Sequence, residues 1–104
     1  MPASTKQEGT ISKILVLNSN FKVIKTLNSN SDIEAFSQYW FSKQEHASSE
    51  KAPGHYKIDI YTTNSNNRYL YNENGTVRLL TKTMTPEYQI HNFKSFNKLL
   101  GIVE

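Results

Sequence analysis

The sequence predicts an α+β domain: an antiparallel sheet with element order β-β-α-β-β-β-β-α and helices packed on one face. Two segments, 31–44 and 92–101, carry apolar residues at helical spacing, the stripe that a core-facing helix needs. The stretches 11–27 and 56–90 instead hold short runs of Ile, Val, Leu and Tyr separated by NSN, NSNN and NENG. Such runs read as strands joined by turns. In RYLYNENGTVRLLTK (68–82) the apolar residues fall in both phases, so both faces of that hairpin carry them.

A chain of 104 residues is one domain by length, and folding removes roughly 65% of its unfolded surface from water. Mean hydropathy is −0.61, so burial has to lean on six Tyr, five Phe and one Trp. Each aromatic removes about 150–250 Å² from water. Residues 1–10 are polar and aperiodic and are expected to form a disordered tail. The single α+β domain is then 11–104.

The first hairpin is expected from ISKILVL (11–17) and FKVIKTL (21–27), with apolar residues in both phases. In the helix that follows, Ser31 and Glu34 fit a capping box, in which each side chain bonds a first-turn N–H. Asp32 suits the positive end of the helix dipole. Ile33, Phe36 and Trp40 should face the sheet, Tyr39 and Phe41 widen the apolar arc, and the helix is expected to end near Gln44. HASSEKAPG reads as a loop closed by Pro53 and Gly54.

HYKIDIYTT is the cleanest alternating strand: Tyr56, Ile58 and Ile60 point one way, Lys57, Asp59 and Tyr61 the other. In NENG, a type I turn from Asn72 leaves Gly75 left-handed in a G1 bulge. That loop sets Tyr71 opposite Val77 and Tyr69 opposite Leu79, whereas a two-residue Asn74-Gly75 turn would pair Leu70 with Leu79. The bulged register is preferred because it gathers Tyr69, Tyr71, Val77 and Leu79 on one face. Pro86 leads into a last strand with Tyr88 and Ile90. A helix from Asn92, lined by Phe93, Phe96 and Leu100, is capped by Gly101.

The face bearing Tyr56, Ile58, Ile60, Tyr69, Tyr71, Val77 and Leu79 is expected beneath the helices. The other carries Lys57, Asp59, Tyr61, Arg68, Leu70, Arg78, Leu80 and Lys82. Mixed apolar, aromatic and basic groups suit a binding surface, although a solvated face also tolerates scattered apolar residues. Tyr61, Arg68, Leu70, Arg78 and Leu80 are the candidate binding residues. Arg68 and Arg78 are expected at the surface, where replacement leaves the fold nearly intact.

Chemistry finds less support. With no cysteine there is neither a disulfide framework nor a thiolate metal site. His46, His55 and His91 lack metal-ligand spacing. No G-x-S-x-G elbow, P-loop or dinucleotide glycine pattern occurs, and the carboxylates show no pairing period. No cofactor, metal or catalytic residue is therefore assigned, and no enzyme activity is expected. Asn74-Gly75-Thr76 is formally a glycosylation sequon, but the hairpin turn explains it better.

The longest apolar run is ILVL (14–17), and the N-terminal stretch lacks a signal-like apolar core. A cytoplasmic location without membrane contact is expected. The net charge of +3 is spread without a basic block, which does not favour nucleic acid. The leading expectation is a small non-catalytic domain that binds another protein or itself, inhibitor- or immunity-like by analogy of size and architecture. The alternatives are a nucleic-acid-binding sheet and a homodimer or subunit of an enzyme.

Overall fold

The computed structural model describes residues 10–46, 53–80 and 86–102. Nearly all of the expected tail, much of the HASSEKAPG loop and Lys82 lie outside the described residues. The elements are β1 (Ile11–Leu17), β2 (Val23–Leu27), α1 (Asn30–Trp40), β3 (Gln44–His46), β4 (Tyr56–Thr62), β5 (Asn66–Tyr71), β6 (Thr76–Leu79), β7 (Glu87–Gln89) and α2 (Phe93–Leu99). The strands form one sheet in the order β2-β1-β4-β5-β6-β7-β3. Every pairing is antiparallel. The expected order is thus present, with the short β3 added after the first helix. Among the described residues no helix is long and apolar enough to cross a membrane.

The core face follows from strand alternation. Val16, Ile58, Tyr69 and Leu79 lie opposite one another on successive strands, and Tyr56, Tyr71, Val77 and Tyr88 form a second row. Both helices cover this face. Trp40 of α1 meets Tyr69 edge-on, with ring centroids 4.8 Å apart. Phe96 of α2 meets Tyr71 edge-on at 5.6 Å. Phe36 joins the helices, 5.1 Å from Trp40 and 5.5 Å from Phe96. Such ring pairs add about 0.5–1.5 kcal/mol each beyond their area. Ile33 and Tyr39 pack at the margin of this core, while Phe41 remains 66% exposed.

The buried Tyr71 hydroxyl donates to Asn97 Oδ1, and Asn97 Nδ2 donates to the Glu73 carbonyl at 2.9 Å. Asn97, only 1% exposed, therefore ties α2 to the β5–β6 turn without orphaning a polar atom. That turn has the bulged form. The Gly75 N–H donates to Asn72 O at 2.8 Å, the Asn72 N–H donates to Thr76 O at 2.9 Å, and Gly75 has φ of +94°. Tyr71 pairs with Val77 and Tyr69 with Leu79. At the end of α2, Gly101 is left-handed at +76°, the usual device for closing a helix.

Three boundaries differ from expectation, each through side-chain bonding to the main chain. The cap of α1 is Ser29, whose Oγ accepts the Asp32 N–H at 3.2 Å; Ser31 lies inside the helix. The helix ends at Trp40 rather than Gln44. There Ser42 Oγ donates back to the Gln38 and Tyr39 carbonyls at 2.8 and 3.2 Å. Gln44–His46 then extends to pair with Glu87–Gln89. Finally, β2 begins at Val23 and not Phe21, because Asn18 Oδ1 accepts the Asn20 and Lys22 N–H groups at 2.9 and 3.0 Å. The wider turn leaves Phe21 left-handed, with φ of 63°.

Two stability predictions follow from this packing. Trp40→Ala should lose about 3–5 kcal/mol in denaturant unfolding, whereas native-like unfolding would place the indole outside the core. At Gly75 an added Cβ would meet Phe93 Cβ at 2.8 Å and Gln89 Nε2 at 2.5 Å, in a backbone conformation already unfavourable for other residues. Gly75→Ala should therefore cost about 2–4 kcal/mol in the same measurement.

Candidate binding face

Among the described residues both helices lie on one side, and the opposite face of β1, β4 and β5 carries none. The register places Lys13 beside Tyr61, Leu15 beside Asp59, and Leu17 beside Lys57. On the next strand Asp59 faces Arg68 and Lys57 faces Leu70. Four of the five candidate residues are thereby set on this face by strand alternation: Tyr61, Arg68, Leu70 and Arg78. Leu80 follows β6, donates its N–H to Arg68 O at 2.9 Å and is 48% exposed.

The five do not form one patch. Arg78 pairs with Glu87 at 3.8 Å, and Glu87 is buried. Leu70 lies under the 53–55 segment, so close that a Cβ on Gly54 would sit 2.8 Å from Leu70 Cβ. That segment is held by Asn72 Nδ2 donating to Pro53 O at 2.9 Å and by His55 Nδ1 on Glu73 Oε1 at 2.9 Å. The open region lies on β1, β4 and β5. There Asp59, Tyr61, Asn66, Asn67 and Arg68 line a shallow depression of about 320 Å³.

Arg68 is not a free cation. Its Nε and Nη2 donate to the two Asp59 carboxylate oxygens at 2.7 and 2.8 Å. The side chains of Arg68 and Asp59 are 38% and 10% exposed. The hydrogen bond to Asp59 holds the guanidinium pKa above its ordinary value. The expectation that Arg68 and Arg78 are simple surface residues therefore needs correction: each is paired with a largely buried carboxylate on the neighbouring strand.

Phe21 is the residue the sequence reading missed. Its ring is 57% exposed, with Lys57 Nζ 4.5 Å and Arg68 Cζ 5.5 Å from its centroid. The β1–β2 turn thus hangs an aromatic over the open face between two cations. Further along, Lys13 Nζ lies 4.6 Å from the Tyr61 ring centroid. Neither Lys13 nor Lys57 has a carboxylate within ion-pair distance among the described residues. The one textual clue to Phe21 was NSNFK, where an asparagine side chain can hold a wider turn.

Hydroxyls beside the depression are tied to the main chain: Ser12 Oγ donates to Tyr61 O at 3.3 Å and Thr62 Oγ1 to Ser65 O at 3.0 Å. Among the described residues no group of three or more His, Cys, Asp or Glu side chains comes together as a metal ion would need. No protein-family model, curated protein or solved structure matches the chain.

Arg68→Ser should destabilise by about 1–3 kcal/mol, because Asp59 is left largely buried without its partner. Replacing Asp59 and Arg68 together by Thr should recover most of that loss, as a cross-strand Thr pair needs no counter-ion. A double-mutant cycle in urea checks both, and a double variant no better than the single would contradict the pairing. The His55 hydrogen bond lowers the Glu73 pKa, so its stabilisation is complete above the unfolded-state value and is lost as pH falls through the folded one. Between about pH 5 and pH 3, wild-type stability should fall more than that of Glu73→Gln. The difference should stay under about 1 kcal/mol, since both groups are half exposed and screened.

Proposed function

We propose that this chain is a non-catalytic binding domain that engages another protein through the sheet face opposite its helices. The observation that carries the reading is Phe21. A bulky residue held left-handed costs roughly 1–2 kcal/mol, and such backbone strain concentrates at functional sites. Here the strained residue is also a well-exposed aromatic ring, placed over the sheet face that none of the described helices covers. Aromatic and arginine side chains dominate protein hot spots, because they bring large contact area with directional bonding. Tyr61 and Arg68 stand in the depression alongside.

A nucleic-acid reading draws on the same aromatic and cationic groups, since bases stack on rings beside basic side chains. Two features weigh against it. Arg68 already spends its planar fork on Asp59, and the ring faces of Phe21 and Tyr61 carry lysine ammonium groups. The test is site-specific photo-cross-linking in cells that make the protein natively. A benzophenone side chain in place of Phe21 should give a discrete protein adduct. The same group in place of Phe41, exposed at the end of α1, should not. Nucleic-acid adducts from position 21, or identical products from both positions, would overturn the proposal.

A further inference from the structure

We infer that the partner presents an extended acidic segment, with carboxylates four residues apart and an uncharged residue midway between them. This rests on the reading of the open face as a protein-binding site. Lys13 lies opposite Tyr61, and Lys57 is four residues before Tyr61 on the same face of β4. The two ammonium groups thus anchor to positions about 13 Å apart along the strands and one strand apart across them, roughly 14 Å in all. In an extended partner segment crossing the strands at a slant, residues i and i+4 point the same way about 13–14 Å apart.

Both lysines lack a carboxylate partner among the described residues, so each offers an unmatched charge to a ligand. Midway between them stands the Asp59–Arg68 pair, whose two charges already cancel. An acid at i+2 would therefore find no net counter-charge, whereas an apolar side chain there lies within reach of Phe21 and the half-buried Leu15. The pattern facing the sheet is therefore acid, apolar, acid. A phosphodiester backbone fits it poorly, because it carries charge at every nucleotide and would set some over a pair that offers no net counter-charge. A second copy fits no better: the nine acidic residues of this chain include no pair four apart.

The experiment titrates the full chain, by amide chemical shifts, with four probes. Three are blocked pentapeptides: Glu-Thr-Leu-Thr-Glu, its Gln-Thr-Leu-Thr-Gln counterpart, and Thr-Glu-Leu-Glu-Thr with the acids two apart. The fourth is an oligothymidylate. The first peptide should give saturable shifts confined to Lys13, Phe21, Lys57, Tyr61, Arg68 and their neighbours. Binding should weaken as salt rises, and the other two peptides should bind at least about tenfold more weakly. A Lys13→Gln, Lys57→Gln double variant with unchanged melting should lose the same factor.

Equal binding of the Gln peptide would overturn the acidic segment while keeping this face as a protein site. Equal binding of the two-apart peptide would overturn the spacing. Shifts on this face from oligothymidylate alone would overturn the inference and the protein-binding reading together. Silence from all four probes would overturn the inference, with the protein-binding reading then standing or falling on the cross-link from position 21.

Discussion

Among the described residues, two short helices cannot cover both faces of a seven-stranded sheet, and the rest of the described structure depends on that shortage. Helices of 11 and 7 residues are about 16 and 10 Å long, against a sheet roughly 29 Å across its strands. They are spent on one side, where Phe36, Trp40 and Phe96 lock onto Tyr69 and Tyr71. The Asn97 bridge to Tyr71 and Glu73 fixes α2 there. The same strands then present their other face without a helix, and side-chain pairs have to make that face tolerable in water.

Cross-strand pairing does this locally. Asp59 with Arg68, Arg78 with Glu87, and Lys13 with Tyr61 each join neighbouring strands on the outer side. Each such pair is worth only about 0.2–1 kcal/mol, yet removing one partner of a buried carboxylate costs more than making the pair gains. The outer face is therefore ordered and largely polar before any ligand arrives. Phe21 departs from this pattern: the Asn18 turn holds its backbone left-handed, but an exposed aromatic ring at that position adds nothing to the inner core. The choice of an exposed aromatic for this turn position is what supports the proposal that the open face is a surface for recognition rather than only solvated sheet.

What the sequence reveals depends on which force sets each feature. HYKIDIYTT was legible because burial on one face imposes strict alternation, and NENG because a left-handed turn position favours glycine. The face on which Tyr61, Arg68, Leu70 and Arg78 lie followed from that register. The ends of α1 and the start of β2 were not legible, since Ser29, Ser42 and Asn18 decide them by local bonds that several nearby polar residues could have made equally well. Strand β3 has no apolar pattern at all; its pairing with β7 is imposed from outside. The partners of Arg68 and Arg78 sit across strands, nine residues away in sequence in each case, where no periodic spacing announces them. Phe21 was hidden for a related reason: in a strand its phenyl would be unremarkable, and only the Asn18 turn makes it an exposed, strained ring.

The claim on which the functional reading turns is that this face is open in the free protein. Solvent paramagnetic relaxation with a soluble gadolinium chelate measures that directly on assigned side chains. The described arrangement predicts strong relaxation of the Phe21 ring and of the Lys13 and Lys57 side chains, with Phe36, Trp40 and Phe96 protected. A Phe21 ring as protected as Phe36 would show that the face is covered within the chain itself, and would contradict its proposed role as a binding surface.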